Sequence, residues 1–245
     1  MTESITIYCL PYAGTSAAMY LRWRRLLPSW IIVQPIELPG RGSRINEFSK
    51  DDYAILTEDL FNEITLALPK RYALFGHSMG ALLAHGVAQI IRARGLLLPA
   101  ALLVSGCPAP SHHDSGRYRN LRDDAALIAE LKKQGGTLNE VFENPELLAM
   151  TLDLLRVDFR VCGSYRHTQL PPLNMPINAF GGRADRIAAA KLNDWRLEGT
   201  QTFTLDWFEG GHFFLRQNEA LFLRSLIMRL RESQMEILRE KTGTH

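Results

Sequence analysis

Three side chains far apart in the sequence, Ser78, Asp185 and His212, could together activate a hydroxyl for attack on a carbonyl. A serine hydroxyl is a weak nucleophile until an imidazole takes its proton, and the imidazole in turn needs a carboxylate to orient it. Ser78 lies in Gly76-His77-Ser78-Met79-Gly80, between the strand-like run Tyr72-Ala73-Leu74-Phe75 and the helix-like run Ala81-Leu82-Leu83-Ala84. In that setting G-x-S-x-G reads as a tight strand-to-helix turn that strains the serine backbone and lifts its hydroxyl above the sheet edge. Side chains two residues to either side would collide, so both positions call for glycine. The turn also puts the Met79 N–H at a helix N-terminus, where it can donate to a developing oxyanion.

Where such a turn carries the nucleophile, the acid and then the histidine follow it along the chain. His212 is the best base of the seven histidines: it sits in Glu209-Gly210-Gly211-His212-Phe213-Phe214, after the last strand-like run, with two glycines to ease its approach. His77 reads as a neighbour that packs beside the nucleophile, and His85 and His167 as structural residues. His112 and His113 fall in a region of insertion and are not read as a metal site. For the acid, Asp185 follows a strand and a pair of glycines in Gly181-Gly182-Arg183-Ala184-Asp185. Asp114, after the preceding strand, is the alternative; Asp206 inside a strand and Asp158 on a helix read as structural or ion-pair residues. A second oxyanion donor is expected from the small-residue loop Pro11-Tyr12-Ala13-Gly14-Thr15, with the Ala13 N–H preferred and Gly14 next.

The elements that must hold these groups alternate between strand and helix, which predicts an α/β fold with a mostly parallel sheet flanked by helices. Strand-like runs cover Ile5–Leu10, Ile31–Leu38, Tyr72–Phe75, Ala101–Ser105, Ile177–Phe180 and Phe203–Phe208. Helical patterns cover Ala17–Leu27, Asp51–Leu68, a stretch from the Ser78 turn to Arg94, and Asn218–Lys241. The Ala17–Leu27 pattern has an apolar stripe of Met19, Trp23 and Leu26. The alternation breaks after Ser105. Between about 107 and 172 the chain has prolines, paired histidines and two helical patterns, Asp123–Lys133 and Pro145–Arg160, but no strand. That reads as a helical lid inserted between two core strands.

The 245 residues fit one domain, 1–245, and 46% hydrophobic with 22% charged residues is the composition of a globular chain. A net charge of +2 gives no footprint for nucleic acid, and no apolar run is long enough to span a membrane. The arginines at 22, 24, 25, 41 and 44 read first as a solvated face, second as a patch for an acidic partner. No secretory signal is visible at Met1-Thr2-Glu3-Ser4, and Cys9, Cys107 and Cys162 form no zinc or CxxC pattern. A cytoplasmic location with reduced thiols is expected. The chemistry as read needs no cofactor and no metal.

The chain resembles the stand-alone type II thioesterases of nonribosomal peptide and polyketide assembly, members of the α/β-hydrolase superfamily. The resemblance rests on Leu10-Pro11-Tyr12-Ala13-Gly14, Glu37-Leu38-Pro39-Gly40-Arg41-Gly42, Gly76–Ala81, Ser105–Pro110, Asn144–Leu148, Leu155–Phe159, Ala179–Gly182 and Gly210–Phe214, in that order. It implies hydrolysis of acyl groups from the phosphopantetheine arm of acyl or peptidyl carrier proteins, the arm being part of the substrate. It implies the same triad, Ser78, Asp185 and His212. A monomer is expected. Two departures stand out: Thr15 replaces a second glycine in the first loop, and His85-Gly86 replaces an aromatic residue followed by glutamate.

Overall fold

The structure, a computed structural model, describes residues 3–121, 123–136 and 139–242. Residues 122, 137 and 138 of the expected insertion, and Met1 and Thr2, lie outside the described residues. The strands are β1 (Ile5–Leu10), β2 (Ile31–Pro35), β3 (Tyr72–His77), β4 (Leu102–Ser105), β5 (Ile177–Gly182) and β6 (Phe203–Phe208). They form one sheet in the order β2-β1-β3-β4-β5-β6, and every neighbouring pair is parallel. Successive side chains of a strand point to opposite faces. Tyr8, Leu10, Tyr72 and Leu74 accordingly enter one core, and Ile7, Cys9, Ala73 and Phe75 the other. With both faces covered, β3, β4 and β5 are buried at every position, whereas the edge strand β2 alternates between buried and exposed.

The helices are α1 (Trp23–Leu26), α2 (Tyr53–Thr65), α3 (Met79–Ala93), α4 (Ser115–Arg119), α5 (Asp124–Gln134), α6 (Asn139–Glu143), α7 (Pro145–Ser164), α8 (Ala189–Asn193), α9 (Phe214–Gln217) and α10 (Glu219–Thr242). Residues of α2 and α3 fill the first core, and those of α1, α9 and α10 the second. The single helix expected over Ala17–Leu27 is instead a 3-10 turn, Ala17–Tyr20, followed by α1. Ala17, Tyr20 and Trp23 are buried at the three-residue spacing of a 3-10 turn, and Leu27 after them, whereas Leu26 of the expected stripe is 49% exposed. β2 stops at Pro35 rather than Leu38. Beyond it the Glu37 carboxylate takes the Leu38 N–H at 3.1 Å, which turns the chain into a loop.

Between β4 and β5 lie α4 to α7. The two longer helices match the expected patterns. Asp123 caps α5, and Asn144 caps α7 with Pro145 behind it. α4 and α6 have five residues each, too few to show a helical period in the sequence. Leu127, Leu152, Leu155 and Phe159 make a separate small core for this region, and Ala13 of the first loop packs against it. The insertion is therefore seated on the loop that follows β1. Met150, on α7, is 66% exposed.

Candidate active site

β3 runs directly into α3 through Ser78, whose φ of 52° and ψ of −120° make it the only described non-glycine residue with positive φ. The strain is held from both sides. A Cβ on Gly76 would lie 2.0 Å from the Gly80 carbonyl oxygen, and one on Gly80 would lie 2.3 Å from that of Leu10. Both are backbone contacts that nothing flexible could relieve. The Ser78 N–H donates to the Ser105 carbonyl at 2.8 Å, which extends the β3–β4 ladder to the nucleophile itself. Met79 opens α3, so its N–H is among those that no earlier carbonyl of the helix can accept.

His212 and Asp185 come from the loops that follow β6 and β5. Those loops are laced by backbone bonds: Arg183 N–H to the Phe208 carbonyl at 2.8 Å and Ala184 N–H to that of Gly210 at 2.9 Å. His212 Nδ1 lies 2.8 Å from Asp185 Oδ2, and Asp185 Oδ1 accepts from the Arg186 N–H at 2.6 Å. An ionised carboxylate only accepts, so Nδ1 carries the proton and Nε2 is left for a hydroxyl. Ser78, Asp185 and His212 line one cleft of about 260 Å3 with Cys107, Tyr118 and Cys162. Burial pushes the Cys107 thiol up to about 12 and raises that of Cys162 too, so neither supplies a thiolate.

The two residues singled out as oxyanion donors lie beside the same recess. Ala13 and Met79 line a small recess together with Ser78, Tyr12 and Phe213. The alternative donor is occupied: the Gly14 N–H donates to Asp158 Oδ2 at 2.7 Å. Thr15 lies outside the cleft. Its hydroxyl and its N–H both donate to the Tyr12 carbonyl, at 2.8 and 3.3 Å, and tighten the loop from within.

The remaining candidates have other partners. Asp114, the alternative acid, caps α4 by accepting from the Arg117 N–H at 3.0 Å. Asp206 pairs with Arg229 of α10, and Asp158 with Arg41. His112 bonds Asp194 at 2.7 Å, while His113 donates to the Cys162 carbonyl at 2.8 Å. His85 bonds Glu198 at 3.1 Å, and Gly86 beside it leaves room for Tyr53, whose hydroxyl would sit 2.2 Å from any Cβ there. His77 is fully buried under His212, ring centroids 5.0 Å apart, with Nδ1 2.9 Å from Ser105 Oγ. Burial first, and the neighbouring His212 second, hold the His77 imidazole well below the usual histidine range, against a smaller opposing pull from the His212 backbone.

Arg41 corrects the reading of a surface patch. It is 3% exposed and turned inward onto Asp158, so it has no face to offer a partner. The sequence singled out both segments, Glu37–Gly42 and Leu155–Phe159, but nothing along the chain joins residues 117 positions apart.

A thioesterase-domain family model matches residues 5–231. The gramicidin S biosynthesis protein GrsT of Aneurinibacillus migulanus is 33% identical over 228 residues, covering 93% of this chain and 89% of its own. Among solved structures, the type II thioesterase BorB from the borrelidin biosynthetic cluster is 35% identical with a TM-score of 0.84, over 94% of both chains. The thioesterase RedJ from the prodiginine pathway of Streptomyces coelicolor is 34% identical with a TM-score of 0.83, over 91% of this chain and 90% of that one.

Proposed function

The chain belongs to the thioesterase family, and we propose that it is a type II thioesterase that hydrolyses acyl and aminoacyl thioesters on the phosphopantetheine arm of carrier proteins. In nonribosomal peptide or polyketide assembly this clears mis-primed or stalled chains. The observation that carries the reading is the convergence of a strained Ser78 with the Asp185–His212 pair in one cleft, 2.8 Å separating His212 Nδ1 from Asp185 Oδ2.

In this reading His212 Nε2 takes the Ser78 proton as Oγ attacks the thioester carbonyl. Asp185 holds the imidazole in the productive tautomer and stabilises its charge. The N–H groups of Ala13 and Met79 receive the oxyanion, each contributing about 3 kcal/mol to transition-state stabilisation. The C–S bond breaks and the pantetheine thiolate leaves with the proton from His212; water deprotonated by His212 then attacks the acyl-serine, and His212 returns that proton to Ser78 Oγ as the acid is released. These steps call for no metal and no organic cofactor, and the phosphopantetheine belongs to the substrate. The helices α4 to α7 act as the lid over the cleft, and the carrier approaches at its rim. The enzyme acts as a cytoplasmic monomer; free, buried Cys9, Cys107 and Cys162 suit a reducing compartment. Among the described residues no helix is long and apolar enough to cross a membrane.

The test is intact-protein mass spectrometry of an acetyl-loaded carrier with the wild-type enzyme and Ser78→Ala, with free acetyl-pantetheine thioester and a simple oxygen ester alongside. Fast, Ser78-dependent loss of acetyl from the carrier, with slow turnover of the free substrates, is expected. Brisk ester cleavage with an untouched carrier would make the protein a small-molecule esterase.

A further inference from the structure

The Glu37–Gly42 loop sends its arginine into the protein. Arg41 and Asp158 are 3% and 1% exposed and pair through both arms, Nη1 to Oδ2 at 2.7 Å and Nη2 to Oδ1 at 2.6 Å. Together they also take one backbone group from each of two consecutive residues of the loop after β1. The Gly14 N–H donates to Asp158 Oδ2 at 2.7 Å, and the Thr15 carbonyl accepts from Arg41 Nη1 at 3.0 Å. Gly14 has a φ of +78° and lies so close to α7 that a Cβ there would sit 3.2 Å from Leu155 Cδ1. Ala13, the residue just before, packs against the small core of the insertion and lines the recess beside Ser78.

A buried ion pair is a poor means of stabilising a fold, because desolvation cancels most of the attraction and an apolar pair of similar volume serves as well. This pair even leaves Arg41 Nε buried without a hydrogen-bond partner among the described residues. What it can do that an apolar pair cannot is hold a peptide unit in one orientation, by charge-assisted bonds of fixed direction. An oxyanion donor is useful only if it is aimed before the charge develops.

We propose that Arg41 and Asp158 are positioning residues for the hydrolysis: the pair pins the Gly14 and Thr15 backbone to α7 and so keeps the Ala13 N–H aimed at the recess beside Ser78. The proposal rests on the thioesterase reading of Ser78 and of that recess. Neither residue lines the cleft, so neither touches the reacting atoms.

Two variants test it, Asp158→Asn and the apolar replacement Arg41→Met/Asp158→Leu, each examined for folding by thermal melting. Activity is followed as kcat and KM on acetyl-carrier. Independently, the rate at which a fluorophosphonate labels Ser78 is measured, which requires the triad and the oxyanion donors but neither carrier nor thioester. The double variant is expected to fold, to lose about 100-fold in kcat as a misplaced catalytic group does, to keep its KM, and to label more slowly by a similar factor. Its pH–rate profile should not move, since Asp185 and His212 are untouched. A folded double variant with wild-type kcat and labelling rate would overturn the proposal, as would a loss confined to KM. If neither variant folds, the pair serves stability alone and the proposal falls. Slowed labelling in variants of an enzyme that does not touch the carrier thioester would uphold the positioning role and refute the substrate assignment.

Discussion

The two sides of the cleft are held by opposite means. Asp185 and His212 stand on loops that leave adjacent parallel strands, and those loops are joined by backbone bonds that continue the β5–β6 ladder. Ala13 stands on a loop off the end of β1, held by side chains from residue 41 and from α7, 117 positions apart. A group carried on neighbouring strand ends inherits its placement from the sheet register, which many hydrogen bonds enforce together. A loop lying off the sheet has no such ladder, and its direction depends on a few specific ties.

The change with the largest expected effect removes the atom that both sides serve. Ser78→Ala should lower carrier deacylation by about 10^6-fold, to a rate set by whatever the emptied site still does. Mass spectrometry of the loaded carrier reads it, and a residual rate within tenfold or so of wild type would mean another nucleophile. Asp185→Asn attacks only the acid–histidine side and should cost about 10^4-fold in kcat with the melting temperature held, because the tautomer is lost and the ladder is not. Equal activity would move the acid to another residue.

Gly80→Ala tests the rigidity of the turn itself. Its Cβ would lie 2.3 Å from the Leu10 carbonyl, joining the two sides in one clash, and a loss of about 3 kcal/mol or more in urea unfolding is expected. A mild effect would mean that β1 can yield.

His77 lies between the sides, against Tyr12 and under His212. Burial and His212 depress its folded-state pKa well below the unfolded value of 6.5, so the unfolded chain binds the proton more readily. Stability is then complete above that value and is lost as pH falls from there through the folded pKa. His113, depressed by burial, acts in the same direction. Urea midpoints should fall steadily between about pH 7 and 5; a flat profile would show that both imidazoles protonate within the fold. The smallest effect sharpens the contrast. Arg229→Met removes the partner of Asp206 on β6, a pair with side chains 16% and 20% exposed, and should cost only about 1 kcal/mol and leave kcat unchanged. A fall in kcat would show that the sheet side, too, relies on a side-chain tie.

The turn at Ser78 was legible because its constraints are local: two glycines flanking a short motif, with a strand before and a helix after. The central strand runs were legible because strands buried on both faces of a parallel sheet are written as largely apolar segments, as in Tyr72–Phe75 and Leu102–Ser105. Ala17–Leu27 misled because a 3-10 turn and an amphipathic helix both bring apolar residues back after three or four positions. Arg41 misled for a different reason. A charge in a polar loop reads as solvated, and only a carboxylate arriving from a distant helix reverses that.

The amino-acid sequence by itself thus determined the nucleophile's turn, the parallel α/β order and the short list of groups from which an acid and a base could come, since each follows from neighbours along the chain. Only the tertiary structure decided that Asp185 rather than Asp114 meets His212, that Asp158 occupies the Gly14 N–H while Ala13 lines the recess beside Ser78, and that Arg41 points inward. Those outcomes depend on which buried charge finds which partner, and desolvation makes that choice only when separate segments are packed together.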